Sequence, residues 1–572
     1  MDESIRSSYV KNSSAINKNN LYDSYIRSIR WASDRIKEKG IVCFVTNGSF
    51  INGGAMDGLR KSLEEEFTSI YCFNLRGNAR GSGEARRKEG GNVFGAGTRT
   101  TIAITMFIKN PDKKDKCTIY YHDIGDYLNQ EEKLETVKQA KNIFEIDWEK
   151  ITPNANNDWI NQRDIKFETF IPLGNKKEKN IETIFENYSR GLESARDTWV
   201  YNFSKSVLED NVKRMINFYN TQVEDYEKVL QTSNKPINID KFVENNPKMI
   251  KWSSSLKQRL NRLQKIQYDS ESLTISMYRP FVKKWVYYNG SLIHRVGQLP
   301  KIFPMTGEGN LMIYINGSGA GKDFSALIVD LIPDLNMNHS GGQGFPMYTY
   351  EIEENLGGLF DEPSSKRVVR NDNITNNTLQ NFKNIYGEEL TKEDIFYYVY
   401  GILHSKEYKE RFLADLQKML PRIPYAKEFR AFCEGGRKLA ALHLNYESLK
   451  PYPLKEIITS NTQETFEATK IKYGTANKTV DKSVLIINSY VTLKGVPMEA
   501  YDYHINGRSA IEWIIDQYKV DYDKDSQINN NPNDWSKDNR YIIDLVKRIV
   551  TLSVETLEIV NSFPPIQEID VK

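Results

Sequence analysis

Several groups of residues in this 572-residue sequence have types and spacing that invite a chemical reading. The segment Arg76–Arg99 (RGNARGSGEARRKEGGNVFGAGTR) holds seven glycines and six basic residues against two acidic ones. Its Arg76, Arg80, Arg86, Arg87, Lys88 and Arg99 suit phosphate oxygens, contacts that position a protein on nucleic acid without conveying sequence. The plainer reading is a solvated loop rich in charge. Pro247–Tyr268 (PKMIKWSSSLKQRLNRLQKIQY) carries Lys248, Lys251, Lys257, Arg259, Arg262 and Lys265 with no acid. That predicts a helix of one sign, a phosphate contact or a solvated linker. Gly317–Asp323 (GSGAGKD) follows the apolar run LMIYI and mimics a phosphate-binding loop. Asn316 stands where that motif wants its first glycine, and Asp323 where it wants the hydroxyl that ligates magnesium, so nucleotide binding through Lys322 is declined. Asp158, Asp164 and Asp197 lie near Trp159 and Trp199 without nuclease spacing, and the six histidines show no ligand spacing. Capping and ion pairing account for the carboxylates, and no metal site is expected.

The elements that must position these residues follow from composition and periodicity. Lys plus Arg total 78 and Asp plus Glu 76, so any nucleic-acid role comes from local patches rather than a global field. At 39% hydrophobic and 12% aromatic, the chain can bury large cores and should form two to four cooperative units. Four widely spaced cysteines and the lack of any run of roughly 20 apolar residues point to a reducing compartment, a cytoplasmic location and no membrane. Leu21, Tyr25, Ile29, Ala32 and Ile36 form one stripe, which predicts a helix over Asn20–Lys39 ended by a left-handed Gly40. Ile41–Thr46 reads as a central parallel strand covered on both faces. A helix over Asp57–Phe67 and a strand over Ser69–Leu75 complete a right-handed βαβ crossover. Arg76–Arg99 is expected to be neither helix nor strand, and Thr100–Ile108 is a strand pairing antiparallel with its predecessor. Beyond Tyr268, short strands and aromatic-rich connections (SLTISMYRPF, WVYYN, LMIYI, FSALIVDLI, MYTYE) give way to helices, an α+β pattern.

These elements, with NLYDSYIRSIRWASDRI from Asn20, GGNVFGAGTRT from Gly90 and NDWINQRD from Asn157, resemble the second half of an amino-group DNA methyltransferase. RDTWVYNFS from Arg196, YRPF from Tyr278, LPKIF from Leu299, LPRIPY from Leu420, GRKLAALHLNYE from Gly436 and NGRSAIEWIIDQY from Asn506 extend the likeness over nearly the whole chain. The sequence is most similar to the type ISP restriction-modification enzymes, which fuse an ATP-driven translocase, an N6-adenine methyltransferase and a target recognition domain. In related adenine methyltransferases an aromatic residue in the loop before the last hairpin strand stacks on the flipped-out base. The resemblance puts Phe94 in that role, whereas the residues alone favour a packing anchor for a glycine loop. It also implies that Arg422, Arg437, Asn506 and Arg508 lie in the recognition domain, where Arg and Asn can read guanine and adenine edges. For any one of them, holding a turn or a cap is the simpler role.

An N6-adenine methyltransferase also needs a glycine-rich turn for S-adenosylmethionine and an Asn/Asp-Pro-Pro-Tyr/Phe tetrapeptide, and this sequence has neither. In the family the tetrapeptide would lie shortly before Asn20, so the chain reads as the C-terminal part of a larger enzyme. No catalytic residue is expected here, and S-adenosylmethionine is expected only in the complete enzyme. The implied partners are double-stranded DNA and an upstream methyltransferase/translocase segment of the same system. The half sheet would leave its first strand with an unpaired hydrophobic edge. The expected fold is α/β over 1–265, the distal half of a class I methyltransferase-like doubly wound sheet, followed by an α+β target recognition domain over 266–572. The expected function is sequence-specific DNA binding and, with the upstream half, N6-adenine methylation; the alternative is a stand-alone DNA specificity subunit without catalysis.

Overall fold

Helix α1 (Ser24–Ser33) buries Ile26 and Ile29, and α2 (Asp57–Glu66) buries Leu59 and Leu63. Both share a core with one face of a five-stranded sheet: β1 (Gly40–Asn47), β2 (Ser69–Arg76), β3 (Ile102–Lys109), β4 (Thr118–Asp123) and β5 (Glu149–Ile151). This computed structural model describes residues 1–570 except 16, 81–82, 96, 114, 176–180, 233–235, 306, 318–322, 339–340, 355–365 and 461–465. The sheet order is β1-β3-β2-β4-β5. β3 runs antiparallel to both β1 and β2, while β2 and β4 are parallel. The two crossover strands are therefore not neighbours, as a simple βαβ unit would have them; β3 lies between them. Its sequence IAITMFIK is apolar on both sides, which suits an interior position.

The central strand expected at Ile41–Thr46 is an edge strand among the described residues. Val42 is buried, but on the other face Ile41 is 62% and Val45 53% exposed, and Cys43 is exposed. α1 stops at Ser33, so Gly40 opens β1 instead of capping a helix. The glycine-rich segment expected to be irregular contains a short helix, α3 (Gly83–Glu89), and β4 had no counterpart in the sequence reading.

Two units emerge. The first comprises Met1–Phe170, Gly321–Asp323 and Phe412–Pro421; the second holds Ile171–Ala320, Phe324–Arg411 and Arg422–Lys572. The boundary expected at 265 thus moves to Phe170. The reason is helix α5 (Lys205–Thr232), whose Leu208, Val212, Met215, Tyr219 and Val223 share a core with Phe281 and Val286. Also in the second unit, β6 (Leu273–Arg279) and β7 (Val282–Tyr287) pair antiparallel, as do β8 (Met312–Ile315) and β9 (Ala326–Val329). Helices α7 (Lys392–His404) and α8 (Phe429–Leu444) cross where Gly401 and Gly436 let the two backbones meet; a Cβ on either would strike a carbonyl of the other helix. A four-stranded sheet near the C-terminus has the order β10 (Lys455–Ile458), β13 (Val491–Lys494), β12 (Thr479–Ile486), β11 (Lys472–Ala476). The unit is α+β, and the chain as a whole is an α/β sheet unit followed by it. Among the described residues no helix is long and apolar enough to cross a membrane.

Candidate nucleic-acid interface

β2 ends at Arg76, whose φ of 55° turns the chain out of the sheet into the basic, glycine-rich segment. The Arg76 Nε donates to Asp123 at 2.6 Å, and its Nη1 pairs with Asp126. Burial works against ionisation of Asp123, but Arg76 and the Gly125 N–H outweigh it and hold the carboxyl below its ordinary range. Arg76 therefore anchors the base of the loop.

The rest of the loop is organised by Asn92, which is buried. Its Nδ2 donates to the Gly77 and Thr100 carbonyls at 3.1 and 2.9 Å, tying the two ends together. Its Oδ1 accepts the Phe94 N–H at 3.0 Å. Helix α4 (Gln130–Gln139), started by a capping box of Asn129 and Glu132, braces the other side. Lys133 Nζ donates to the Glu89 carbonyl at 2.7 Å, Gln130 Nε2 to the Val93 carbonyl at 3.0 Å, and Gly91 N to Leu128 O at 3.0 Å. Lys133 is buried, and that burial lowers its pKa against the pull of Glu89. Gly90 sits at φ 66°, where a Cβ would collide with the Leu128 carbonyl. On this fixed backbone Phe94 is 60% exposed. So exposed a ring is covered only in small part by its own chain.

Around it, Arg80, Arg87 and Arg99 are exposed. The Ala79 N–H donates to Arg99 O at 3.1 Å, which brings Arg80 and Arg99 to the same neck of the loop. Arg86 Nη1 donates to Gly90 O at 2.7 Å, and Lys88 Nζ lies 3.7 Å from Asp126, so these two help shape the loop.

The remaining candidates are distributed differently. Only Ser254–Asn261, α6, is helical in the second basic stretch. Lys257 pairs with Asp240 at 2.7 Å and Lys265 with Glu224 at 2.8 Å, so acids from elsewhere offset the one-sign appearance; Arg259 is half-buried and Arg262 is exposed at the helix end. Arg437 binds Glu393 at 2.7 Å and Asp394 at 2.8 Å, which ties α8 to α7. Arg508 pairs with Asp516 at 3.0 Å, Arg422 lies in a two-residue strand against Ile171–Pro172, and Asn506 is buried at φ 55° with its N–H on Ser325 Oγ at 3.0 Å. All four belong to the second unit, whereas Phe94 belongs to the first.

The segment that mimics a phosphate-binding loop joins β8 to β9, in register Ile315↔Ala326, so it links antiparallel strands where the motif requires a strand followed by a helix. Lys322 itself lies outside the described residues. Asp158 is buried between Arg60 (3.3 Å), Arg163 (2.8 Å) and Lys418 (3.1 Å). Asp164 caps a turn at Lys166 N (2.9 Å), and Asp197 accepts from Ser194 and from Tyr278 at 3.4 Å. No group of three metal-ligating side chains occurs among the described residues. The sequence reading missed Asn92, Gln130 and Lys133 as loop organisers; the Asn129–Glu132 spacing was the one signal that a helix begins beside them.

A family profile described as "Type ISP C-terminal specificity domain" matches residues 183–545. A nuclease-deletion mutant of the type ISP restriction-modification enzyme LlaGI, solved with a DNA substrate mimic, is 40% identical, with a TM-score of 0.85 over 100% of this chain and 42% of that one. The ATP-dependent type ISP enzyme LlaBIII bound to DNA is 39% identical, with a TM-score of 0.85 over 99% of this chain and 35% of that one. The DrdV–DNA complex is 32% identical, with a TM-score of 0.80 over 99% and 54%. The chain thus spans about half or less of the length of these enzymes. No curated protein matches it. With the profile covering most of its length and these likenesses running end to end, the chain belongs to the type ISP restriction-modification family, with residues 183–545 as its C-terminal specificity domain.

Proposed function

We propose that this chain binds double-stranded DNA sequence-specifically and that, with an upstream segment of the same system, it forms an N6-adenine DNA methyltransferase. The observation that carries the reading is the open edge of the first sheet. β3 is inserted antiparallel between two parallel strands, and β1 leaves Ile41, Cys43 and Val45 bare. Opposed residues of an antiparallel pair share a face, so Ile41, Cys43 and Val45 continue the apolar surface of Ile104, Met106, Tyr71 and Phe73, which lines a groove beside Ile146 and Trp148. A hydrophobic edge of this kind calls for another strand and its covering helix. That upstream segment would also hold S-adenosylmethionine. The turn after β1 buries Phe50 and Ile51 in the core. In the assembled enzyme Phe94 would stack on the extruded adenine while the arginines of its loop hold phosphates. Four free thiols suit a reducing cytoplasm.

Transfer of a tritiated methyl group from S-adenosylmethionine to DNA, with and without the upstream segment, tests the reading. Transfer should require both parts, and Cys43 should lose its reactivity toward thiol reagents when they combine. DNA binding with no transfer and an unprotected Cys43 would leave a stand-alone specificity subunit. Transfer by this chain alone would refute the division of labour.

A further inference from the structure

Resting on the DNA-binding reading, the geometry points to the β11–β12 hairpin as a ribbon that enters a groove of the duplex and reads bases with Asn477 and Lys478. β12 pairs with β13 only through Val484, Leu485 and Ile486. Beyond them, Gly474↔Asp481, Thr475↔Val480 and Ala476↔Thr479 pair only with each other. Residues 475–480 are exposed on both sides of this two-stranded extension, so it projects from its sheet. From Gly474 to the tip is three residues, about 10 Å at ~3.3 Å per residue. The major groove is roughly 12 Å wide and 8.5 Å deep and admits a two-stranded ribbon.

The tip is built for polar contact. Asn477 and Lys478 have φ of 49° and 65°, the pattern of a type I′ turn. Glycine is the least strained residue at the second of those positions, and a lysine held there points to function at the tip rather than to turn formation. Lys472 and Lys478 supply positive charge along the ribbon, and Asp481 turns back onto the Ser483 N–H and hydroxyl at 2.9 and 2.6 Å. The ribbon Asp521–Asp523 with Ile528–Asn530 makes the contrast: its strands and turn carry Asp521, Asp523 and Asp525, which phosphates would repel. The register shifts between Tyr473, which faces Leu485, and Gly474, which faces Asp481, so the outer ribbon is set off from the part of the hairpin that joins the sheet.

The test is selection from a pool of randomised duplexes by the full 572-residue chain, compared with Lys478→Gly and Asn477→Gly. Glycine relieves the positive φ at either position, so loss of folding does not cloud the result. The expected outcome is that each variant keeps most of the selected sequence, loses preference at one or two adjacent base pairs, and binds the wild-type site about 5- to 150-fold more weakly, the range for one lost base-reading pair. Uniform weakening over all sequences would make the hairpin a phosphate contact and overturn base reading; unchanged selection and affinity would remove it from the interface. A wild-type chain that selects no sequence would overturn the DNA-recognition reading, and this proposal with it.

Discussion

Truncating Phe94 separates stacking from packing by magnitude. The ring is 60% exposed, so about 40% of it is covered. Full burial of a phenylalanine contributes about 1.5–3 kcal/mol, which sets the folding cost of Phe94→Ala at about 0.6–1.2 kcal/mol. For a unit of this size that is a fall in melting temperature of about 1–5 °C. Base–aromatic stacking contributes about 1–3 kcal/mol per base, a factor of about 5–150 in rate or affinity. In the enzyme assembled with its upstream segment, Phe94→Ala should therefore lower methylation by that factor. The fluorescence of 2-aminopurine at the target position should change in parallel. Phe94→Trp should keep most of the activity, because any ring of adequate area serves as a platform. Recognition-site choice should stay the same, since the specificity domain begins at residue 183. A well-folded Phe94→Ala enzyme with normal methylation would refute the argument, and so would loss of activity only in step with lost folding.

Asp158 has no exposed side chain and is surrounded by Arg60, Arg163 and Lys418, so Asp158→Ala should strand buried cations and cost about 3–5 kcal/mol, on the order of 10 °C in the melting of the first unit; a change below 2 °C would contradict a buried ion cluster. Burial raises Asp415 to about 6, with one carboxyl oxygen unpartnered and the other accepting the Asp164 N–H at 3.1 Å. A raised acid is stabilising in its protonated form, and that advantage fades as pH climbs from the ordinary 3.8 through about 6. Asp415→Asn should thus be more stable than wild type by about 1–3 kcal/mol at pH 7.5 and equal to it below pH 4; a difference independent of pH would count against this. Arg80, Arg87 and Arg99 together should account for a slope of about −2.7 in log affinity against log salt, about 40-fold between 50 and 200 mM. The triple alanine variant should lose that slope, and an unaltered salt dependence would place the phosphate contacts elsewhere.

Local pattern alone determined most of the elements. The β-branched runs Ile41–Thr46, Ser69–Leu75 and Thr100–Ile108 are strands, and the stripes in α1, α2, α7 and α8 are helices, because side-chain period is a property of adjacent residues. The long motifs fixed the family, and the missing glycine turn and tetrapeptide were readable as absences in the chain itself. Tertiary structure decided what local pattern cannot carry. Ile41–Thr46 looks like a doubly covered strand because its residues are apolar on both sides; only the position of β3 leaves one side bare. The Pro247–Tyr268 stretch looks uniformly positive because Asp240 and Glu224, which pair with it, lie earlier in the chain. Lys418 completes the Asp158 cluster from 260 positions away, a contact no periodicity encodes. The tip at Ala476–Thr479 was the reverse case. Its turn was present in the sequence, but without glycine it lacked the usual hairpin signal, and only the two positive φ angles reveal it. What a residue is fixes the conformations it prefers; which neighbour covers, pairs or neutralises it is set by segments far apart in the chain, and those decided where this protein is open to its partners.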